Sequence, residues 1–413
     1  MKKIIIIGGG TAGWLTALIV NKFWENTNVT LVESSKIGIL GAGEGSTPNF
    51  GRILSLLGIN QKDFYEKTGA TNKRGLNLIN WLGDGSTAKH LFTGEEPTVF
   101  TKSFGYHFDA RKVADYFKQI AIDRGVNWID GEIETINNTG EFIKSFKLVD
   151  DRIISSDFVF DCSGFNRLVG NLFNEEWVDY SKYLMINSSI AFFLPQNKKL
   201  TIKDKTYTNM VAMSCGWMWQ IELQHRWGCG YSFNKDYITV EDAKKEVEDY
   251  LGHEIEIQKV FSYNPGRYKR SWIGNSISIG LSYGFIEPLE ATSLMSTIMQ
   301  LKRLVDKNFD ENYKDGFNKW CEEINEQNMM FIRYHYLAER LDNKFWIDAY
   351  NKPIPKKLKQ ILDKDNNIII KNDIDLLKSF DLVETPQNML AFFTHNYQTI
   401  FRKNKKVLKK ELI

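Results

Sequence analysis

The chain has little cysteine: Cys162, Cys215, Cys229 and Cys321 are scattered over 413 residues with no C-x-x-C pair. A disulfide framework and a thiolate metal site are therefore not expected, no metal is called for, and a reducing cytoplasm suits the composition. Proline is scarce too, with 8 residues. No Pro/Ser-rich linker, internal repeat or low-complexity segment divides the chain. Neither sign of charge is in surplus, with 53 Lys+Arg against 51 Asp+Glu. Binding to a phosphate backbone demands a basic excess, so nucleic acid is not an expected partner. The basic run from Arg402 to Lys410 reads as a solvated tail. No apolar run approaches the ~20 residues that cross a bilayer. The isoleucines at Ile4–Ile7 run straight into glycines and read as a buried strand, so no membrane partner is expected.

What the chain does have is apolar and aromatic material, 43% and 13% of residues, enough for a large core and an aromatic pocket. Ile4–Ile7 is a β-branched run suited to a parallel strand covered on both faces. Gly8-Gly9-Gly10-Thr11-Ala12-Gly13 follows, then helical apolar spacing from Trp14 to Phe23, then a second strand from Val29 to Val32 closed by Glu33. Strand, glycine turn, helix, strand and a terminal acid form the context in which G-x-G-x-x-G denotes a dinucleotide site. Gly8 makes the turn, Gly10 lets backbone approach a pyrophosphate, and Gly13 lets helix and strand touch. Thr11 and Ala12 open the helix, whose N–H groups face the phosphates. Glu33 can accept from ribose hydroxyls.

Further segments extend this reading. The acid of Asp161-Cys162-Ser163-Gly164 closes the strand Phe158–Phe160, and the turn is read as a second nucleotide-facing segment, which favours FAD. The loop Gly41 to Pro48, with Gly43, Glu44, Gly45 and Ser46, lets backbone lie against a flat ring. Ser46 or Thr47 is placed to cap the helix that Pro48 opens. A helix is expected from Asp109 to Asp123, an antiparallel sheet from about 183 to 280, and mainly helix after Leu294.

Lys73 before Ile79-Asn80-Trp81, Tyr106-His107-Phe108-Asp109-Ala110, Trp217-Met218-Trp219-Gln220-Ile221 and Gly284-Phe285-Ile286-Glu287-Pro288-Leu289-Glu290-Ala291-Thr292-Ser293 complete a set. Together with the glycine motif, the Gly43–Pro48 loop and Asp161–Phe165, these segments resemble the flavin-dependent halogenases of the tryptophan-halogenase type, including their shorter bacterial and phage members. The resemblance covers about residues 1 to 340, and Phe331-Ile332 with His335-Tyr336 resembles the family's later helix.

The resemblance implies an α/β fold: an FAD-binding Rossmann-like (GR2-type) domain with an interleaved antiparallel sheet and a mainly helical substrate lobe. Residues 1–340 would form the core and 341–413 a C-terminal helical extension packed on it. It further implies that FAD, supplied as FADH2, and O2 convert a bound halide to hypohalous acid, which passes through a tunnel to Lys73. There the halogen is delivered to an electron-rich aromatic small molecule. Lys73 and Glu290 are the catalytic candidates, Thr292 and Ser293 hold the halide by backbone N–H groups, and Trp217 with Trp219 screens the flavin. A backbone site selects an anion by size rather than charge, so bromide or iodide is expected to serve at least as well as chloride. With no second G-x-G-x-x-G, a separate NADH-dependent flavin reductase is implied, and homo-oligomerisation is left open. Two departures stand out: Glu222 replaces the family's proline after the Trp-x-Trp strand, and Ala291 stands where serine is usual. A flavin-dependent aromatic hydroxylase and a non-catalytic FAD-binding protein are the alternatives.

Overall fold

A computed structural model describes residues 1–39, 44–92, 104–195, 206–364, 366, 368–379, 392 and 397. Gly43 and the basic C-terminal run lie outside the described residues. The first strand, Lys2–Ile7, lies at the centre of a six-stranded sheet in the spatial order Trp272–Ile273, Ser276–Ser278, Phe158–Asp161, Lys2–Ile7, Thr27–Glu33, Asn127–Asp130. All neighbours are parallel except the Trp272–Ser278 hairpin. The isoleucines supply both faces: Ile4 and Ile6 enter the main core with helix Thr11–Phe23, while Ile5 and Ile7 pack against a three-stranded antiparallel layer of Ile133–Thr139, Phe142–Leu148 and Ile153–Ser155. A β-branched run with no alternation is what a strand covered on both sides requires.

The second large layer is a seven-stranded sheet. Its order is Ile257–Ser262, Ser188–Pro195, Arg226–Phe233, Gly216–Glu222, Tyr207–Met213, Gly75–Ile79, Thr87–Leu91. It corrects the expected antiparallel block in two ways. Residues Trp272–Ser278 leave it for the first sheet. Gly75–Ile79 and Thr87–Leu91 join it from far upstream, with Gly75–Ile79 pairing parallel to Tyr207–Met213. Gly75–Ile79 was hard to see because four of its five residues are buried, so no period of two shows. Helices Thr292–Asp306 and Lys314–His335 pack between the layers, and helix Lys344–Asn351 closes one end. Trp346 of that last helix is buried and donates from Nε1 to the Met213 carbonyl at 2.9 Å. Lys73 ends a strand of a further, three-stranded sheet in the order Glu44–Gly45, Gly105–Phe108, Thr71–Lys73, close enough to Glu290 to feel its charge. Among the described residues no helix is long and apolar enough to cross a membrane.

Candidate active site

The nucleotide end is built from the first strand outward. Gly8 has φ +106°, open to glycine, and a Cβ there would lie 2.3 Å from the Cys162 carbonyl oxygen. A Cβ on Gly13 would meet the Gly8 carbonyl oxygen at 1.8 Å, so helix and strand touch only because it is absent. At Gly10 a Cβ would meet nothing within 4 Å. Helix Thr11–Phe23 begins there without a side-chain cap, leaving the first-turn N–H groups of Thr11 and Ala12 for an anion. Glu33 ends its strand as expected, its carboxylate held by Lys118 Nζ at 3.0 Å and Trp128 Nε1 at 2.9 Å. This open, uncapped turn fits a dinucleotide pyrophosphate.

Other candidates take different parts. Asp161 pairs beside Ile7, but its carboxylate accepts from the N–H groups of Ser163 and Val169, both at 2.9 Å. It ties its own turn together. Gly164 takes φ +66° and donates to Ser282 Oγ at 2.9 Å. Ser46 exchanges two bonds with Tyr106, so neither it nor Thr47 supplies the expected side-chain cap of helix Pro48–Leu56. The Thr47 hydroxyl is buried with no partner among the described residues. Glu44 is partly buried and pushed up to about 7, by desolvation first and then by Asp109, against a hydrogen bond from Thr11.

At the other end, strand Thr71–Lys73 pairs with Gly105–Phe108 and carries Lys73 into the interior, 1% exposed. Its Nζ lies against Gly45, where a Cβ would be 2.7 Å away, and 5.2 Å from the Phe92 ring centroid. Among the described residues no carboxylate lies within ion-pair distance of it. Burial lowers its pKa to about 8, against the opposing charge of Glu290. His107, also buried, is held well below its ordinary value by burial and then by Lys73, and meets Thr208 Oγ1 at 2.7 Å.

Glu290 precedes helix Thr292–Asp306 in left-handed backbone, φ 63°, as does Ala291 at 56°. Two such non-glycine residues in succession are strained, which persists only where the surroundings fix them. Here the strain turns the carboxylate inward. His90 Nδ1 lies 2.7 and 2.8 Å from its oxygens, and His335 Nε2 lies 3.0 Å from Oε1. His335 Nδ1 faces the Phe331 carbonyl at 2.8 Å. Both ring nitrogens of His335 thus face acceptors, so the Glu290–His335 contact must carry a proton on one side or the other. Burial would raise Glu290, but His90 and His335 reverse that and hold it well below the usual carboxylate range. Neither histidine was assigned a role from sequence. His90 sits in no motif and meets its partner across 200 residues.

Helix Thr292–Asp306 then starts without a side-chain cap. The Thr292 N–H donates to the Leu289 carbonyl, so the expected pair of backbone donors at Thr292 and Ser293 is not wholly open to an anion. Trp217 and Trp219 project from one face of their strand, ring centroids 6.1 Å apart. Trp219 lies across Gly230 of the neighbouring strand, where a Cβ would meet its ring at 2.1 Å. Glu222, in place of the family's proline, continues the ladder opposite Trp227.

A sequence model of the family "Tryptophan halogenase" matches residues 3–102 and 93–406. Tryptophan 6-halogenase ThaL of Streptomyces albogriseolus is 28% identical, over 84% of this chain and 78% of its own length. BrvH, a flavin-dependent halogenase from Brevundimonas sp. BAL3, superimposes with a TM-score of 0.81 at 26% identity, covering 97% of this chain and 89% of that one. Xcc4156, a flavin-dependent halogenase from Xanthomonas campestris, shares the fold with a TM-score of 0.80 at 23% identity, over 99% of this chain and 95% of that one. With nearly its whole length inside the family's pattern, this chain belongs to the tryptophan halogenase family and is a flavin-dependent halogenase that works with FADH2, O2 and halide.

Proposed function

We propose that Lys73 is the residue from which halogen reaches the organic substrate, an electron-rich aromatic small molecule. The observation that carries this is an amine sealed in the interior, unpaired with any described carboxylate and lowered to about 8. Bound reduced FAD, with O2, supplies the oxidising power that converts halide to hypohalous acid. The Lys73 amine attacks that acid: an N–X bond forms, the X–O bond breaks, and the departing oxygen takes a proton from nitrogen to leave as water. The aromatic carbon then takes the halogen as the N–X bond breaks, and the proton the ring sheds returns by way of Glu290 to the nitrogen, which restores the amine. Glu290, kept ionised between His90 and His335, receives the ring proton from the cationic intermediate. Burial keeps water from consuming the oxidant, and the fixed geometry raises its effective concentration at the substrate. Trp217 and Trp219, side by side on one strand face, serve as the screen that keeps the organic substrate from the flavin. The halide is held at the start of helix Thr292–Asp306, on the Ser293 side. The relatives' substrate, tryptophan, gives the aromatic class. A separate flavin reductase delivers FADH2, since the single βαβ glycine turn accommodates one dinucleotide. The test is a Glu290→Gln variant, whose product formation should fall 10²- to 10⁴-fold while NADH-driven flavin oxidation continues at the wild-type rate. Undiminished product from this variant would remove Glu290 from the chemistry.

A further inference from the structure

The Pro288 turn carries two carboxyl groups three residues apart in opposite surroundings. Glu290 is clamped by two histidines. Glu287 is 0% exposed, and its only hydrogen-bond donor among the described residues is the Tyr336 hydroxyl, 3.0 and 3.2 Å from its oxygens. The titratable groups facing it are Tyr336, at the end of helix Lys314–His335, and Tyr263, after strand Ile257–Ser262, both raised by burial. The Trp217 indole N–H lies near the Glu287 carboxyl and the Tyr336 hydroxyl without a well-formed bond to either. No described Lys, Arg or His pairs with Glu287. An ionised carboxylate there would be a buried, uncompensated charge, and desolvation pushes Glu287 up to about 8. When two neighbouring carboxyls are driven apart in this way, one is suited to give a proton and the other to take one.

The halide end needs such a donor. Halide oxidation balances as FADH2 + O2 + X⁻ + H⁺ → FAD + HOX + H2O. Oxygen accepts four electrons, two from the dihydroflavin and two from the halide; the O–O bond breaks, an O–X bond forms, and the second oxygen leaves as water. One proton beyond the two of FADH2 must be found inside a closed site. Glu287 lies on the turn that leads into the helix proposed to hold the halide: its main-chain carbonyl is 3.5 Å from the Thr292 hydroxyl, and its carboxyl enters the interior beside Tyr336 and Trp217, the latter on the strand proposed to screen the flavin. We propose that Glu287 is the proton carrier for halide oxidation, releasing its carboxylic-acid proton as the halide is consumed and recovering one through the Tyr336 hydroxyl. This rests on the halogenase reading and adds an acid to the halide end of the site, complementary to the base at Glu290.

Infrared difference spectra of the full chain, titrated with acid and alkali, test it without turnover. The carbonyl stretch of a protonated buried carboxyl should be present at pH 7, fade as pH rises through about 8, and be missing from Glu287→Gln, which keeps the shape of the side chain. In a coupled assay with a hypohalous-acid trap, Glu287→Gln should form HOX on the order of 100-fold more slowly at pH 7 and lose the alkaline decline of the wild type. A band that survives in Glu287→Gln, or is missing from the wild type at pH 7, overturns the proposal, as does wild-type HOX formation by the variant. If that variant does not fold, the titration is repeated on Glu44→Gln, which removes the other carboxyl pushed up to about 7; loss of the band there overturns the proposal. A wild type that forms no HOX from any halide would sink the halogenase reading and this proposal together, whereas failure of the infrared test sinks only the proposal.

Discussion

Lys73 gains its chemistry from where a three-residue strand leaves it, and the same amine on a solvated surface would be an ordinary cation. Two properties matter: it can lose its proton near pH 8, and it fits against Gly45. Lys73→Arg keeps a charge but can never present a neutral amine, and its planar fork does not fit that contact. The variant should therefore yield no halogenated product by mass spectrometry while still oxidising flavin; an active arginine variant would show that a positive charge suffices. Because the neutral amine gains population as pH rises through about 8, the wild-type rate should climb on the acid side of that value. The glycines offer a second test. Gly10 has extended backbone and open space, whereas Gly13 is closed by the Gly8 carbonyl. Gly10→Val should retain the melting temperature but lose FAD in calorimetry, while Gly13→Ala should lower the melting temperature. Undiminished FAD affinity in Gly10→Val would show that no pyrophosphate crosses that turn. At this scale the motif-bearing residues were legible, because their types and spacing carry a mechanism. The histidine clamp on Glu290 was not, since a contact between His90 and Glu290 leaves no local pattern.

Among the elements, the βαβ unit was plain from sequence because hydrophobic run, glycine turn and helical spacing all agree. Helix Ala110–Asp123, capped by Asp109 accepting from Arg111 N at 3.0 Å, was equally plain. Where tertiary packing decides, less could be read: Gly75–Ile79 finds its partner more than a hundred residues away, and Trp272–Ser278 leaves the expected antiparallel block for the first sheet. The tryptophan strand stands between these cases. Trp-x-Trp on one face follows from the strand period, but the flat seat for Trp219 depends on Gly230 in the neighbouring strand, a pairing seen only once the strands are in register. Gly230→Ala would place a methyl 2.1 Å from that indole and 2.4 Å from the Ile190 carbonyl oxygen. It should cost about 1–3 kcal/mol of stability by overpacking and displace the screen. Chemical denaturation checks the first effect, and a shift in tryptophan emission the second. A variant as stable as the wild type would mean the indole does not lie where described.

For the whole molecule, the match spans 78% of ThaL in sequence and 95% of Xcc4156 in structure. The central claim is that oxidant made at the flavin end is used at Lys73. One measurement addresses it directly: purified protein with FAD, a flavin reductase, NADH, O2 and bromide, incubated with a panel of indoles and phenols and read by mass spectrometry, alongside Lys73→Ala. The wild type should give products carrying one bromine in place of one hydrogen. With an excess of a hypobromous-acid scavenger present in both reactions, Lys73→Ala should give none while consuming NADH, oxidising flavin and loading the scavenger. Hydroxylated products from the wild type, or brominated products undiminished in Lys73→Ala, would contradict the account.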